Sequence, residues 1–280
     1  MADPSRAFIR ALTGVWGQDY WVTWHPSSRL SLGAIGTVGH PGLVPIGELL
    51  DHGIVQPEVE PGGRDSLTWQ TAGAVKVTHR AAAEAGEPTG ALAAARAGTL
   101  VEFTHKNAVL VVYRGLSETR LADQPGLAKE LIRRYWNGDW KTDWCVVSHL
   151  VTARSGTVLM SADKGATVEL SASGSGTAGP VTLADLGTEV RATRSSALQC
   201  ELVGRRMTPF YRVLRLRRRF IRGIEADYGQ VRSTHRSPDR PRPVPPDLLE
   251  EVQDTPYEAL ELVPQPLAPP DEEATDADGA

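Results

Sequence analysis

Short runs of β-branched and apolar residues, each bounded by turn residues, constrain the fold of this 280-residue chain more than any other feature. Residues 74–79 and 99–105 alternate between apolar and polar side chains, and residues 107–113 are a continuous apolar run. Farther on, DWCVVSHLVTA, TVLMSA and ATVEL are separated by Arg-Ser-Gly and Asp-Lys-Gly. Such runs are typical of strands, and the tripeptides between them are typical of turns. The pattern predicts an antiparallel sheet with a three-stranded meander over residues 143–170.

Two segments have the spacing of amphipathic helices instead. Residues 5–15 repeat apolar side chains every three or four positions, and Ser5 is a candidate N-cap. Residues 125–136 do the same around Leu131 and Ile132. The order of helix, strands, helix and strands predicts an α+β fold, in which a large twisted antiparallel sheet carries a few short helices. We expect one domain of this kind over residues 1–235.

The last 45 residues have a different composition. Residues 236–280 contain ten prolines and end in PPDEEATDADGA. A segment of this kind buries too little apolar surface to offset the entropy lost on folding. It is therefore predicted to be a disordered acidic tail that follows the folded domain.

Charge is divided unevenly between the two parts of the chain. Residues 1–242 hold 30 basic and 23 acidic residues, a net charge of +7, whereas residues 243–280 hold eleven acids and no Lys or Arg. A cationic body joined to an anionic tail suits a protein whose basic surface binds an anionic partner and is screened by its own tail.

The densest basic stretch spans residues 205–222, with eight arginines and no acid. Pro209 is compatible with the start of either a helix or a strand. Three interpretations remain open: a solvated surface paired with the acidic tail, a surface for anionic lipid headgroups, and a nucleic-acid-binding surface. Near an anionic membrane each cation contributes roughly 1 kcal/mol. No groove-reading motif accompanies the charge, so nucleic acid is not an expected partner. The candidate lipid-binding residues are Arg6, Arg10, Arg205, Arg206, Arg212, Arg215, Arg217, Arg218, Arg219 and Arg222.

Motifs for catalysis or metal binding are absent from the sequence. There is no G-x-S-x-G elbow, and the seven histidines lack metal-ligand spacing. Cys145 and Cys200 lie in apolar segments, where they are either buried free thiols or a cross-strand disulfide. We expect no enzyme activity, no metal and no cofactor. No apolar run reaches 18 residues and the N-terminus does not resemble a secretory signal, so the expected location is the cytoplasm.

Three segments resemble the gasdermin pore-forming domain. They are SRAFIRALTG (5–14), ELIRRYWNGDWKTDWCVVSHLVTARSGTVLM (130–160) and VTLADLGTEVRATRSSALQCELV (181–203). Their order, a basic amphipathic helix, a second basic helix and then short alternating strands, is similar to that of gasdermins. The length is similar to that of bacterial gasdermins, which carry a short inhibitory tail. Those proteins usually have a lipidated cysteine near the start, and residues 1–144 contain no cysteine.

The resemblance implies a mechanism. The tail would hold the protein as an inactive monomer until an unidentified protease cuts after about residue 230. The role that the resemblance implies is a cell-death defence in bacteria. The released body would move to the inner face of the membrane, bind anionic lipids and form a homo-oligomer. Strand pairs within 72–113 and 143–195 would extend into membrane hairpins, with loops 81–98 and 171–180 as polar tips. The alternative is a soluble, non-enzymatic interaction module whose acidic tail recruits a partner.

Overall fold

The computed structural model describes residues 3–54, 59–63, 66–80, 98–172, 190–228 and 243–266. The helices in these ranges are α1 (Pro4–Leu12), α2 (Gln124–Trp136), α3 (Arg218–Tyr228), α4 (Pro246–Asp254) and α5 (Pro256–Ala259), with a 3-10 turn at Leu49–His52. Helices α1 and α2 confirm the two predicted from spacing. Asp3, rather than Ser5, caps α1, because its Oδ1 atom accepts a hydrogen bond from the backbone N–H of Ser5 (2.9 Å).

Thirteen strands lie in the same ranges. They are β1 (Trp21–Val22), β2 (Ala34–Val38), β3 (Leu43–Glu48), β4 (Val59–Gly63), β5 (Ser66–Gln70), β6 (Val75–Arg80), β7 (Gly98–Phe103), β8 (Val109–Leu121), β9 (Trp144–Ser161), β10 (Thr167–Ala172), β11 (Val190–Ser196), β12 (Leu198–Leu216) and β13 (Leu260–Leu262). All of their pairings are antiparallel. The predicted α+β class, with a large antiparallel sheet and a few short helices, is confirmed.

The three longest strands, β8, β9 and β12, form the centre of a nine-stranded main sheet. Strand β9 lies between β12 on one side and β8 and β2 on the other, and β3 continues the sheet beyond β2. The outer edge of β8 pairs with β4 and β5, and the outer edge of β12 pairs with β1 and β13. Helix α1 covers one face of the centre, and helices α2 to α5 pack at one end of the sheet.

A second sheet contains four strands in the order β11-β10-β7-β6. Strand β6 pairs with β7, and β10 pairs with β11, so the sheet consists of two hairpins joined by the β7–β10 pair. Its apolar residues Val101, Phe103, Val168 and Leu170 pack against the face of the main sheet opposite to α1. The predicted polar tips, loops 81–98 and 171–180, lie almost entirely outside the described residues.

The predicted meander over residues 143–170 is wrong in two respects. Arg154-Ser155-Gly156 is not a turn, because β9 runs through it without a break. The neighbouring strands depart from regular strand geometry at the same level, because Gly115 of β8 and Arg206 of β12, across from Arg154, have left-handed φ angles of 57° and 55°. We call this level the bend. The pairs on each side of it, Ser155 with Arg114 and Arg205, and Ala153 with Leu116 and Met207, keep one register, so both ladders continue across it. The second turn, around Gly165, is present, and that glycine has a left-handed φ of 82°. The strands that it joins, β9 and β10, do not pair, however, because they belong to different sheets.

The arginine-rich stretch is neither all helix nor all strand. Residues up to Leu216 belong to β12, and α3 begins at Arg218. Pro209 lies inside β12 at an irregular place, where the register with β9 shifts between Met207 and Phe210. Its carbonyl accepts from the Thr23 N–H (3.0 Å), next to the short strand β1 at the sheet edge.

The disorder predicted for residues 236–280 is wrong for residues 243–266, here called the C-terminal segment. This segment forms α4, α5 and β13. Its prolines do not prevent folding, because Pro246 and Pro256 occupy first-turn helical positions, where no backbone N–H is needed. The remainder of the predicted tail, residues 236–242 and 267–280, lies outside the described residues.

Candidate functional site

The C-terminal segment extends the main sheet at the edge of β12. Strand β13 pairs with residues 214–216, and Val263 N–H donates to the carbonyl of Val213 (3.1 Å). The indole N–H of buried Trp21 donates to the carbonyl of Val263 (2.6 Å). Gln265 then makes two bonds with the backbone of Val22: its Oε1 accepts from the N–H (2.8 Å), and its Nε2 donates to the carbonyl (3.0 Å). The segment is thus hydrogen-bonded to both β12 and β1.

The helices of the segment complete a hydrophobic core. Leu248, Val252, Ala259 and Leu260 are at most 4% exposed and pack in one cluster with α2 and α3. Burying an aliphatic side chain contributes about 1.5–3 kcal/mol. The packing is incomplete at one place, where a cleft of about 370 Å³ opens between α3 and the segment. The segment is therefore firmly docked, but along an interface that is not fully filled.

Glu261 of β13 joins the segment to the arginine-rich stretch. Its Oε1 accepts from Nε of Arg215 (2.7 Å), and its Oε2 lies 4.0 Å from Nε of Arg217. The side chains of Arg215 and Glu261 are 22% and 25% exposed, so solvent screens this pair less than a fully exposed one. Glu261 of the segment is therefore paired with two of the ten candidate arginines, closely with Arg215 and more loosely with Arg217.

The next candidate, Arg212, is occupied by residues near the N-terminus. Its guanidinium lies 4.7 Å from the ring centre of Tyr20, and its Nη2 donates to Oδ2 of Asp19 (3.1 Å). The Tyr20 hydroxyl in turn donates to Oε1 of Glu118 (2.5 Å). Burial, followed by the Glu118 carboxylate, raises the pKa of Tyr20, which keeps this hydroxyl protonated.

The remaining candidates are at three separate places. Arg218, Arg219 and Arg222 are exposed on α3, whose opposite side is buried through Ile221 and Ile224. Arg6 and Arg10 are on α1, with Arg6 half-buried 3.9 Å from Asp3. Arg205 and Arg206 are exposed on β12, at the bend. The ten residues do not form one continuous surface, and their binding to lipid stays a prediction.

Two further arginines, Arg114 and Arg154, lie at the bend and are not among the ten candidates predicted from the sequence. Tyr113 and Leu116 of β8 both pack in the cluster with α1, and so do Ala153 and Met207. A Cβ atom added at Gly156 or Gly204 would also lie beside Met207, so on all three strands residues three apart face α1. Arg114, Arg154, Arg205 and Arg206 lie between such residues and therefore belong to the opposite face. Gly115, with a left-handed φ of 57°, leaves room for the Arg154 side chain, because an added Cβ would lie 2.7 Å from its Nε. Arg205 lies beside Arg206. We call Arg114, Arg154, Arg205 and Arg206 the bend arginines.

The described residues offer little for catalysis or metal binding. Cys145 and Cys200 are free and buried, so the alternative of a disulfide is ruled out. Burial raises the pKa of each thiol to about 11, which keeps both protonated at neutral pH. Within the described ranges, no cluster of three or more His, Cys, Asp or Glu residues could hold a metal ion. None of the described helices has the length and hydropathy needed to cross a bilayer.

One buried histidine lies beside the occupied Arg212. His149 of β9 is 6% exposed and lies directly between Arg120 of β8 and Arg212 of β12. Burial, followed by the positive charge of Arg212, lowers the pKa of His149 to about 4. Arg120 acts in the same direction, whereas the Glu118 carboxylate opposes both. His149 is therefore neutral in the folded protein at neutral pH.

This shift predicts a loss of stability in mild acid. Because the pKa of His149 is about 4 when folded and 6.5 ordinarily, the unfolded chain binds the extra proton between these values. The stability that neutral His149 contributes is complete above pH 6.5. As the pH falls it is lost, and the free energy of unfolding is lower by roughly 2 kcal/mol at pH 5. Denaturant unfolding at pH 7 and pH 5 measures this loss, which should shrink in His149→Gln. His105→Gln, at an exposed histidine, is the control. An unchanged pH dependence in His149→Gln would contradict the assignment.

Comparison with protein-family models and with curated proteins gives no match for this chain.

Proposed function

We propose that the protein permeabilises anionic membranes, as the gasdermin resemblance implies, and that the C-terminal segment holds it inactive until a protease cuts within residues 229–242. The observation that carries this proposal is the docking of the segment, which occupies the β12 edge, the α2–α3 core and two candidate arginines together. After cleavage between α3 and α4, the segment would no longer be covalently linked to the body and could dissociate from it. The role requires no catalysis, metal or cofactor.

The second sheet supports the pore-forming part of the proposal. Its two hairpins are neighbours through β7 and β10, so they could extend side by side as one four-stranded unit. Only closed sheets are tolerated in lipid, and therefore the outer strands β6 and β11 would have to pair with those of adjacent copies. A membrane strand needs about 9–11 residues. Strands β6 and β7 have six each, so residues from 81–97 would have to join them.

The apolar side chains for such a change are already on this sheet. Val101, Phe103, Val168 and Leu170 now pack against Leu110 and neighbouring residues of the main sheet. On extension these side chains would exchange one apolar environment for another, the lipid interior. The released body would then move to the inner face of the membrane, where anionic headgroups attract the exposed arginines of α3 and those freed from Glu261.

Dye leakage from vesicles tests the proposal. The recognition sequence of a site-specific protease is inserted within residues 229–242 of the full chain, and the protein is cut in the presence of vesicles. We expect leakage from phosphatidylglycerol-containing vesicles after the cut, and none before it or from pure phosphatidylcholine. A scrambled insert of the same length, treated with the same protease, is the matched control.

Buried contacts could keep a cut segment in place, so a second cut protein should also carry Val252→Asp, which weakens the docking. The proposal fails if this protein neither causes leakage nor sediments with the anionic vesicles.

A second candidate function is an interaction module, favoured by the apolar surface around β3. Val38, Val44, Ile46 and Leu50 are 39–61% exposed, and β3 is at the end of the main sheet. Its outer edge pairs with no strand in the described part of the chain, and edges of this kind can accept a strand from a partner. This candidate predicts a cut protein that is indifferent to vesicles of either composition.

A further inference from the structure

The bend arginines lie in two adjacent rows across β8, β9 and β12. Arg114 and Arg205 are both opposite Ser155, one on each side of it. Arg154 and Arg206 form the next row. It lies between the row that contains Ser155 and the row that contains Ala153. Since neighbouring strands are about 4.8 Å apart, the four side chains leave the sheet within roughly 10 Å of one another across the strands.

The patch carries four positive charges on the face opposite to α1. Arg154, Arg205 and Arg206 are exposed, and Arg114 is half-buried. Within the described ranges, no carboxylate forms a salt bridge with Arg114, Arg154 or Arg206. A concentration of like charge of this kind attracts an anionic group.

The direction of the C-terminal segment leads the chain toward this patch. Strand β13 is antiparallel to β12, with Leu260 opposite Leu216 and Leu262 opposite Leu214. Gln265 then reaches Val22, which is opposite Phe210. The chain therefore advances along β12 toward residue 206, and four more residues of strand, about 13 Å, separate Phe210 from Arg206.

The chain beyond Pro266 has the length and charge to cover the patch. Its acids are Asp271, Glu272, Glu273, Asp276 and Asp278, without a basic residue among them. Asp271 is six residues past Gln265 and can lie up to about 20 Å from it, and Asp278 can lie about twice as far. The five carboxylates can thus reach four guanidinium groups.

We propose that residues 271–278 dock on the bend arginines Arg114, Arg154, Arg205 and Arg206. This deepens the proposed function, on which its regulatory meaning rests, because it names the basic surface that the acidic end covers. Docking there would keep anionic headgroups from the patch until the segment is released. Each contact is an exchangeable, charge-assisted hydrogen bond between guanidinium and carboxylate.

Carbodiimide coupling of the full-length protein tests the contact without membranes. The reagent joins a carboxylate to an amine only when the two touch, so Arg154→Lys and Arg206→Lys each place a reactive amine in the patch while keeping its charge. The control is Arg222→Lys, which is also at an exposed position, on α3. Mass spectrometry identifies the coupled residues, and a mixture of isotope-labelled and unlabelled protein separates coupling within one molecule from coupling between molecules.

We expect coupling within one molecule from positions 154 and 206 to residues 271–278, at a yield at least about fivefold above that from position 222. The yield should fall in about 1 M salt, where the screening length is about 3 Å. Coupling that is absent at 154 and 206, or equal at 222, overturns the proposal. Because no lipid is present, this result and the leakage result can fail separately.

Discussion

Val252→Asp is expected to release the C-terminal segment from the rest of the protein, at a cost of about 4 kcal/mol in the free energy of unfolding. Val252 is fully buried in the cluster formed by α2, α3 and α4. A carboxylate there would be buried among apolar side chains, so the segment would undock rather than bury the charge. Undocking would also break the β13 ladder and expose Arg215 and Arg217.

Two measurements report this release. Denaturant unfolding gives the loss of stability, and hydrogen exchange of the β13 amides gives the loss of the ladder. Gln253→Asp is the matched control, since it introduces the same residue at the next, exposed position of the same helix. If Val252→Asp and Gln253→Asp have equal stability and equal exchange, then the segment is not held by this core. Under the proposed function, Val252→Asp alone should also cause leakage from anionic vesicles.

Gly156→Ala is expected to destabilise the centre of the main sheet by about 3 kcal/mol. A Cβ atom at this position would lie 2.5 Å from Cδ1 of Tyr113 and 2.9 Å from Sδ of Met207. The Tyr113 ring is 1% exposed and packs edge-on against Phe210, so it has no free space into which to move. The added methyl therefore forces strain into the core rather than a simple side-chain rotation.

Gly204→Ala provides a control on the neighbouring strand. Gly204 is directly opposite Gly156, but a Cβ there would lie 3.7 Å from its nearest neighbour, Sδ of Met207, which is ordinary contact. Thermal or denaturant unfolding should show little change for Gly204→Ala, or a small gain, because alanine is better suited to a strand than glycine. Similar losses in the two variants would show that the Tyr113 packing does not set the cost at Gly156.

Parts of the fold could be predicted wherever the local pattern and the tertiary structure agree. Helix α2 has apolar residues at helical spacing, and the same residues pack against the sheet. Strand β9 was divided in error, because Arg-Ser-Gly is typical of a turn when only its own composition is considered. β9 continues through this tripeptide because Ser155 and Gly156 pair with β8 on one side and with β12 on the other, and no local pattern contains this information.

The candidate site was harder to predict for the same reason. Proline content and acidity indicated disorder for the C-terminal segment, although Leu248, Val252 and Leu260 are spaced to reach one core. Glu261 became a partner of Arg215 only through the β12–β13 register. Arg114 and Arg154 are far from residues 205–206 in sequence, and the strand pairing brings them together. A search for dense runs of arginine could not find them.

The docking of β13 at the edge of β12 also sets an order of events during synthesis. Tyr228, at the end of α3, is added to the chain before the segment exists, and Pro266 is added 38 residues later. At about 5–20 residues per second this interval lasts roughly 2–8 s. A chain that ended before Leu260 would lack the strand that pairs with residues 214–216, and its core would lack part of the C-terminal segment. A protein restrained by a strand that is made after the other strands of its sheet therefore depends on translation through that strand as much as on protease control.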